Sequence, residues 1–274
     1  MNYHSDKYIL DKVDEHLEES LDHFSEDNII GIFYQGSGNY GLDTKFSDVD
    51  TKLIVVPSFK DIAMNKSPIS TTHVRKNDEH IDFKDIRLYL QTFRKQNINF
   101  LEILFTKFYI CNTMYCDEWN RLIVAREQIA HYNEKRAVQT MYGMSLEKYK
   151  QLEKDTPSHK EELAKYGYSA KELHHLLRLE EFIYRYTHGT SYEECLQTKA
   201  ADYLTAVKLG YFNLDYARKA ACSSIERIKK MADSFCQKDI EVNKEIEDLL
   251  NEVQYNIMKK AVTKELSKNK RRRK

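Results

Sequence analysis

Breakers of regular structure are scarce in this chain. Three prolines and eight glycines are spread over 274 residues, and the shortage favours long helices. Cysteine is sparse and unpaired: Cys111, Cys116, Cys195, Cys222 and Cys236 are odd in number. Only Cys111 and Cys116 lie close together, and no zinc-ligand spacing appears. The thiols are expected to be core or bystander groups in a reduced protein. An excess of one charge is missing too. Lys plus Arg and Asp plus Glu both number 43, with a pI near 7.1, so bulk electrostatics single out no partner. No signal peptide is evident and no apolar run reaches membrane-spanning length, so the expectation is cytoplasmic, with no membrane. Tryptophan occurs once, yet 19 Tyr, 12 Phe and a 41% hydrophobic fraction exclude disorder.

What is present centres on residues 34–57, YQGSGNYGLDTKFSDVDTKLIVVP. An apolar run from Ile29 to Tyr34 stops at Gly36-Ser37-Gly38. After a polar loop come Ser47-Asp48-Val49-Asp50 and a second apolar run, Leu53 to Val56, closed by Pro57. The pattern predicts strand, tight turn, short loop and second strand. Along an extended strand Asp48 and Asp50 share a face, with Cα atoms roughly 6.5 Å apart. Carboxylates that close repel unless a cation lies between them, and an oxygen-only ligand set suits Mg²⁺ or Mn²⁺. The glycine-serine turn offers N–H groups and a hydroxyl to an anion.

Along the chain, residues 5–24 read as a helix with Ile9, Leu10, Val13, Leu17, Leu21 and Phe24 at helical spacing. Its His16 and His23 read as surface or half-buried. Residues 58–78 read as loop with a short helix near 59–65. Residues 79–83 read as a third strand, 86–95 as a helix, 109–113 as a short strand and 119–130 as a helix. Behind residue 130 the pattern is almost wholly helical, with helices expected over 169–187, 192–209, 214–237 and 242–268. The organisation expected is 1–130 as an α+β unit with a small mixed sheet, 131–267 as a helical domain covering its cleft, and 268–274 as a disordered basic tail.

Gly36-Ser37-Gly38-Asn39-Tyr40-Gly41 satisfies G-x-G-x-x-G, but the acids follow 12 and 14 residues after Gly36, not about 20. A kinase reading fails for want of the strand lysine, H-R-D and D-F-G. Ile81-Asp82-Phe83 supplies a third acid between apolar neighbours, and Asp82 is better placed for the site than Asp85. Together, Gly36-Ser37, Asp48-Val49-Asp50 and Asp82 resemble the polymerase-β-like nucleotidyltransferase superfamily. More narrowly, residues 36–57 look like its RNA-repair-associated bacterial and phage family. Residues 97–105, NINFLEILF, resemble that family's G-N-P-N-x-L-E-L-L-F block, with Gln96 and Ile98 in place of Gly and Pro. Lys171 to Leu179 resemble its K-x-x-x-H-x-x-R helix. The likeness covers residues 30–215 in order.

That resemblance implies a nucleotidyltransferase core followed by an all-helical C-terminal domain. It implies transfer of a nucleotide, most simply AMP from ATP, to an acceptor hydroxyl with release of pyrophosphate. Asp48 and Asp50 would hold one Mg²⁺ or Mn²⁺ and, with Asp82, a second, in a two-metal-ion displacement, with Asp82 also serving as general base or its positioner. Gly36, Ser37 and Gly38 would hold phosphate oxygens. By spacing alone Lys171, His175 and Arg178 form one face of a helix. With the resemblance, that face is expected to bind the triphosphate tail or an incoming acceptor; Lys52, just after the acids, is a further phosphate candidate. Acceptors left open are an RNA 3′ end, a protein hydroxyl and a small molecule. A non-catalytic nucleotide-binding module is the competing class. The basic tail would grip nucleic-acid phosphates without sequence preference.

Overall fold

The computed structural model describes residues 3–45 and 47–272, with side chains to residue 268. In chain order the elements are α1 (Asp6–Ser20), β1 (Ile29–Gln35), β2 (Asp50–Val55), α2 (Phe59–Ala63), β3 (Ser70–Val74), β4 (His80–Asp85), α3 (Ile86–Arg94), α4 (Ile98–Leu101), β5 (Tyr109–Cys111), α5 (Cys116–Val124) and α6 (Arg126–Ala130). Helices α7 (Glu134–Gln151), α8 (Lys160–Tyr166), α9 (Ala170–Thr187), α10 (Tyr192–Leu196), α11 (Ala201–Lys208), α12 (Leu214–Cys236) and α13 (Lys244–Arg272) follow. The strands form one mixed sheet in the order β3-β4-β2-β1-β5. Among the described residues β2 and β4 run parallel, and β1–β2, β1–β5 and β3–β4 pair antiparallel. The fold class is therefore α+β with a helical C-terminal region, as the sequence predicts.

Strand alternation separates two cores. Leu53, Val55, Ile81 and Phe83 join Ile9 and Val13 of α1 in the smaller cluster. Ile54 and Val56 face the larger cluster, which runs from the sheet through Trp119, Leu176 and Ile228 to Ile257. One continuous core thus spans the boundary expected at residue 130. The same alternation puts Asp50 and Lys52 on the face of β2 that looks toward the helices.

The face α1 buries is Ile9, Val13, His16 and Ser20, whereas Leu10 and Leu21 are exposed. His16 is therefore not a surface or half-buried group but fully buried, with Nδ1 2.9 Å from Thr51 Oγ1 and Nε2 3.1 Å from Glu79 Oε2. Burial holds its pKa down against the pull of Glu79. Strand β3 lies in a segment expected as loop. The region expected as one helix over 192–209 is two, α10 and α11, because Gln197 leaves the helix and donates to Asn39 O at 2.7 Å. The basic tail continues α13 as far as Arg272 and is not disordered over residues 268–272. Arg273 and Lys274 lie outside the described residues. No helix among the described residues is long and apolar enough to cross a membrane.

Helix α9, which carries the basic face, starts at a buried cap. The Ser169 hydroxyl accepts from Glu172 N–H at 3.2 Å and donates to Glu162 Oε2 at 2.6 Å. Ser169→Ala is expected to lower stability by about 1 kcal/mol, read as an earlier urea midpoint with unchanged slope.

Candidate active site

The first strand ends at Gln35, and Gly36 then adopts φ 123° and ψ −169°, a conformation open in practice to glycine alone. That twist sends the chain into a single 3₁₀ turn, Ser37–Tyr40, closed by Gly41 in the left-handed region. Gly38 has no room for a Cβ, which would meet Tyr34 Oη at 2.5 Å; its N–H donates to that oxygen at 3.0 Å. Gly38 is thus a packing residue of the turn and does not line the cleft above it.

That cleft, of about 640 Å³, is bordered by Gly36, Ser37, Asp48, Asp50 and Asp82 on the sheet side and by Lys171, His175 and Arg178 of α9 on the other. Its volume lies within the ~300–1,000 Å³ of small-molecule sites. Asp48 precedes β2 and is exposed, Val49 turns into the smaller core, and Asp50 opens the strand half-buried. Asp50 Oδ1 accepts the His80 N–H at 2.8 Å. Burial, together with the charge of Asp48, pushes its carboxyl above the usual range despite that hydrogen bond. The charge of Lys171 reaches Asp50 from across the cleft.

Parallel pairing sets Lys52 opposite Asp82, so Asp50, Lys52 and Asp82 share one face of the sheet. Asp82 Oδ1 accepts from Thr72 Oγ1 at 2.6 Å, and Oδ2 lies 3.5 Å from both Lys52 Nζ and Gln35 Nε2. Burial opposes ionisation of Asp82, but the Thr72 hydroxyl and the charges of Lys52 and Lys84 outweigh it and hold the carboxyl below its usual range. Lys52 also donates to Gln35 Oε1 and stacks on Phe100, 4.8 Å from the ring centroid. It is therefore a partner of the third acid that also borders the cleft. Asp85, the alternative third acid, is wholly buried; it caps α3 and pairs with Arg87.

Sequence reasoning missed several wall residues. Lys148 of α7 and Lys208 of α11 both border the cleft, and Lys208 donates to Ser47 Oγ at 3.2 Å. Glu102 lies buried near Arg178 and the Gly36 backbone, and borders the cleft. Arg178 stacks on Tyr40 at 3.5 Å. His175 is not a cation: burial, then the charges of His174, Arg178 and neighbouring lysines, hold its pKa well down. His174, the adjacent histidine, is a structural tie to Leu204 O at 2.9 Å, with its pKa pushed down to about 4 by burial. Gln96, where the resembled family has glycine, keeps the left-handed backbone at φ 55°. Its side-chain amide donates to Phe93 O and Ile129 O, both at 2.8 Å.

Among the described residues no three His, Cys, Asp or Glu side chains converge closely enough to hold a metal ion unaided. Asp48 and Asp50 alone suit Mg²⁺, which is commonly held by one or two carboxylates with substrate phosphates supplying the rest. Asp82 differs from them in having an ammonium beside it, Lys52 Nζ at 3.5 Å from Oδ2.

No protein-family model matches the chain, and no curated protein matches it. A solved structure it is similar to is a nucleotidyltransferase-like protein from Exiguobacterium sibiricum 255-15, at 10% identity over 93% of this chain and 77% of that one. The TM-score is 0.27, too low to carry an argument. The cleft must speak for itself.

Proposed function

We propose that the chain is a nucleotidyltransferase that moves an NMP, in the first instance AMP from ATP, to an acceptor hydroxyl and releases pyrophosphate. The observation that supports it is one cleft with ionisable acids on its sheet wall, four cations (Lys148, Lys171, Arg178 and Lys208) opposite and a glycine-serine turn at its end. Asp48 and Asp50 would hold a divalent ion with the triphosphate, and that ion would neutralise charge developing at the transferred phosphoryl group. Ser37 and the turn face the phosphate oxygens. Lys148, Lys171, Arg178 and Lys208 balance the leaving pyrophosphate. Asp82, ionised and with lone pairs still open beyond Thr72 and Lys52, accepts the hydrogen bond of the acceptor hydroxyl and aims it in line. Its depressed pKa makes it an orienting group, and the proton leaves to water. The new bond joins acceptor oxygen to α-phosphorus while the bond to the β-phosphate breaks.

An RNA 3′ end is the acceptor proposed, in keeping with the family resemblance of residues 30–215 and the basic run at 268–274. The test is transfer of label from α-labelled ATP with Mg²⁺, offered separately to RNA and to protein. The wild type is expected to label RNA, and the Asp48→Asn, Asp50→Asn double variant is expected not to. Label on protein alone would move the acceptor to a protein hydroxyl. Equal labelling by both chains would remove the enzymatic reading.

A further inference from the structure

The least expected group on the sheet wall is a buried ammonium. Lys52 is 3% exposed, and its position follows from strand register, not from a flexible surface rotamer. Parallel pairing puts it opposite Asp82 and antiparallel pairing puts Gln35 opposite Asp50. The Nζ group donates to Gln35 Oε1, approaches Asp82 Oδ2 and lies over the Phe100 ring, 4.8 Å from its centroid. Asp82 Oδ2 therefore already has a cation beside it, and Oδ1 accepts from Thr72 Oγ1 with one lone pair left for an acceptor hydroxyl. A buried ammonium is stable only with an acid partner. A divalent ion brought to the same oxygen would repel it and leave it without one. Charge on this wall agrees. Asp48, Asp50 and Asp82 against Lys52 leave two negative charges, matched by one divalent ion.

Resting on the nucleotidyl-transfer reading, we propose that Lys52 supplies to Asp82, as a covalently attached cation, the charge that a second metal ion would otherwise bring. The chain then takes up one divalent ion, at Asp48 and Asp50 with the nucleotide. Asp82 orients the acceptor beside an ammonium whose place is fixed by the fold. Lys52 is a positioning residue: it acts on the acceptor through Asp82.

The experiment counts bound ions and needs no turnover. Mn²⁺ is titrated into the protein saturated with α,β-methylene-ATP, with free Mn²⁺ followed by its EPR signal and paired ions by dipolar broadening. Wild type is expected to bind one Mn²⁺ per complex without broadening, and Lys52→Met to bind two with broadening. Two coupled ions in the wild type overturn the proposal and leave nucleotidyl transfer standing. A folded Lys52→Met, checked by circular dichroism, that still binds one ion also overturns it. Should Lys52→Met not fold, Asp82→Asn decides. It is expected to leave Mn²⁺ affinity unchanged, and a loss of roughly tenfold or more, the size expected when a metal site is disturbed, overturns the proposal. A wild type that binds neither nucleotide nor ion overturns this inference and the function together.

Discussion

Asp50→Asn is expected to lower nucleotide transfer by roughly a thousandfold, about 4 kcal/mol of barrier, and at the same time to raise the melting temperature. The two signs are opposed because the same charge serves one state and burdens the other. Without nucleotide, Asp50 is half-buried, and burial and Asp48 make its ionised form costly, as its raised pKa records. Asparagine keeps an oxygen for the His80 N–H that Asp50 accepts at 2.8 Å, so the local hydrogen bond survives while the repulsion goes. Stabilisation of about 0.5–2 kcal/mol is the size commonly found for a single stabilising substitution such as removal of an unfavourable charge. Calorimetry and single-turnover transfer on the same sample test both halves. A variant that loses activity and stability together would make Asp50 a structural residue, and one that keeps activity would end the catalytic assignment.

Much of this site was legible because its parts are local. Runs of apolar residues broken at Gly36 and restarted at Asp50 announce two strands and a turn without reference to anything distant. Asp82 announces itself by apolar neighbours on either side. Strand β3 did not, since Ser70-Thr71-Thr72-His73-Val74 sits on the sheet edge with four of its five residues exposed and offers no apolar face to read. His16 carries a signal of burial in its spacing: it lies at helical intervals from Ile9, Val13 and Ser20, the face α1 buries. The break between α10 and α11 has no proline or glycine to mark it. It is held by remote partners, Glu181 accepting from Lys199 N–H and Gln197 reaching Asn39. Lys148 and Lys208 look like ordinary solvated lysines on amphipathic helices, and only packing brings them to the cleft. The pairing of Lys52 with Asp82 depends on a parallel register between strands 30 residues apart, which no local pattern encodes.

Glu102 gives the chain a pH-dependent stability that Glu102→Gln is expected to abolish. The carboxyl is almost wholly buried beside the glycine turn; burial pushes its pKa up to about 8, against the opposing pull of Arg178 and the Gly36 N–H. One oxygen, Oε2, has no hydrogen-bond partner among the described residues, so little there offsets the cost of its charge. Unfolded, the group would release its proton near its ordinary value of 4.5. Between pH 4.5 and pH 8 the folded chain therefore holds a proton that the unfolded chain has lost. Stability is greatest at the acid end of that window, falls as pH rises through it, and levels off once the folded carboxyl also ionises. The span is at most about 5 kcal/mol. Urea unfolding at a series of pH values is expected to show this decline in wild type and a flatter profile in Glu102→Gln. Nucleotide affinity should follow the same direction. With Glu102 protonated, Arg178 is free to face the triphosphate; once Glu102 ionises, it competes for the same guanidinium. Parallel stability profiles for the two chains would mean that Glu102 is charged throughout, with Arg178 committed to it and lost to the nucleotide.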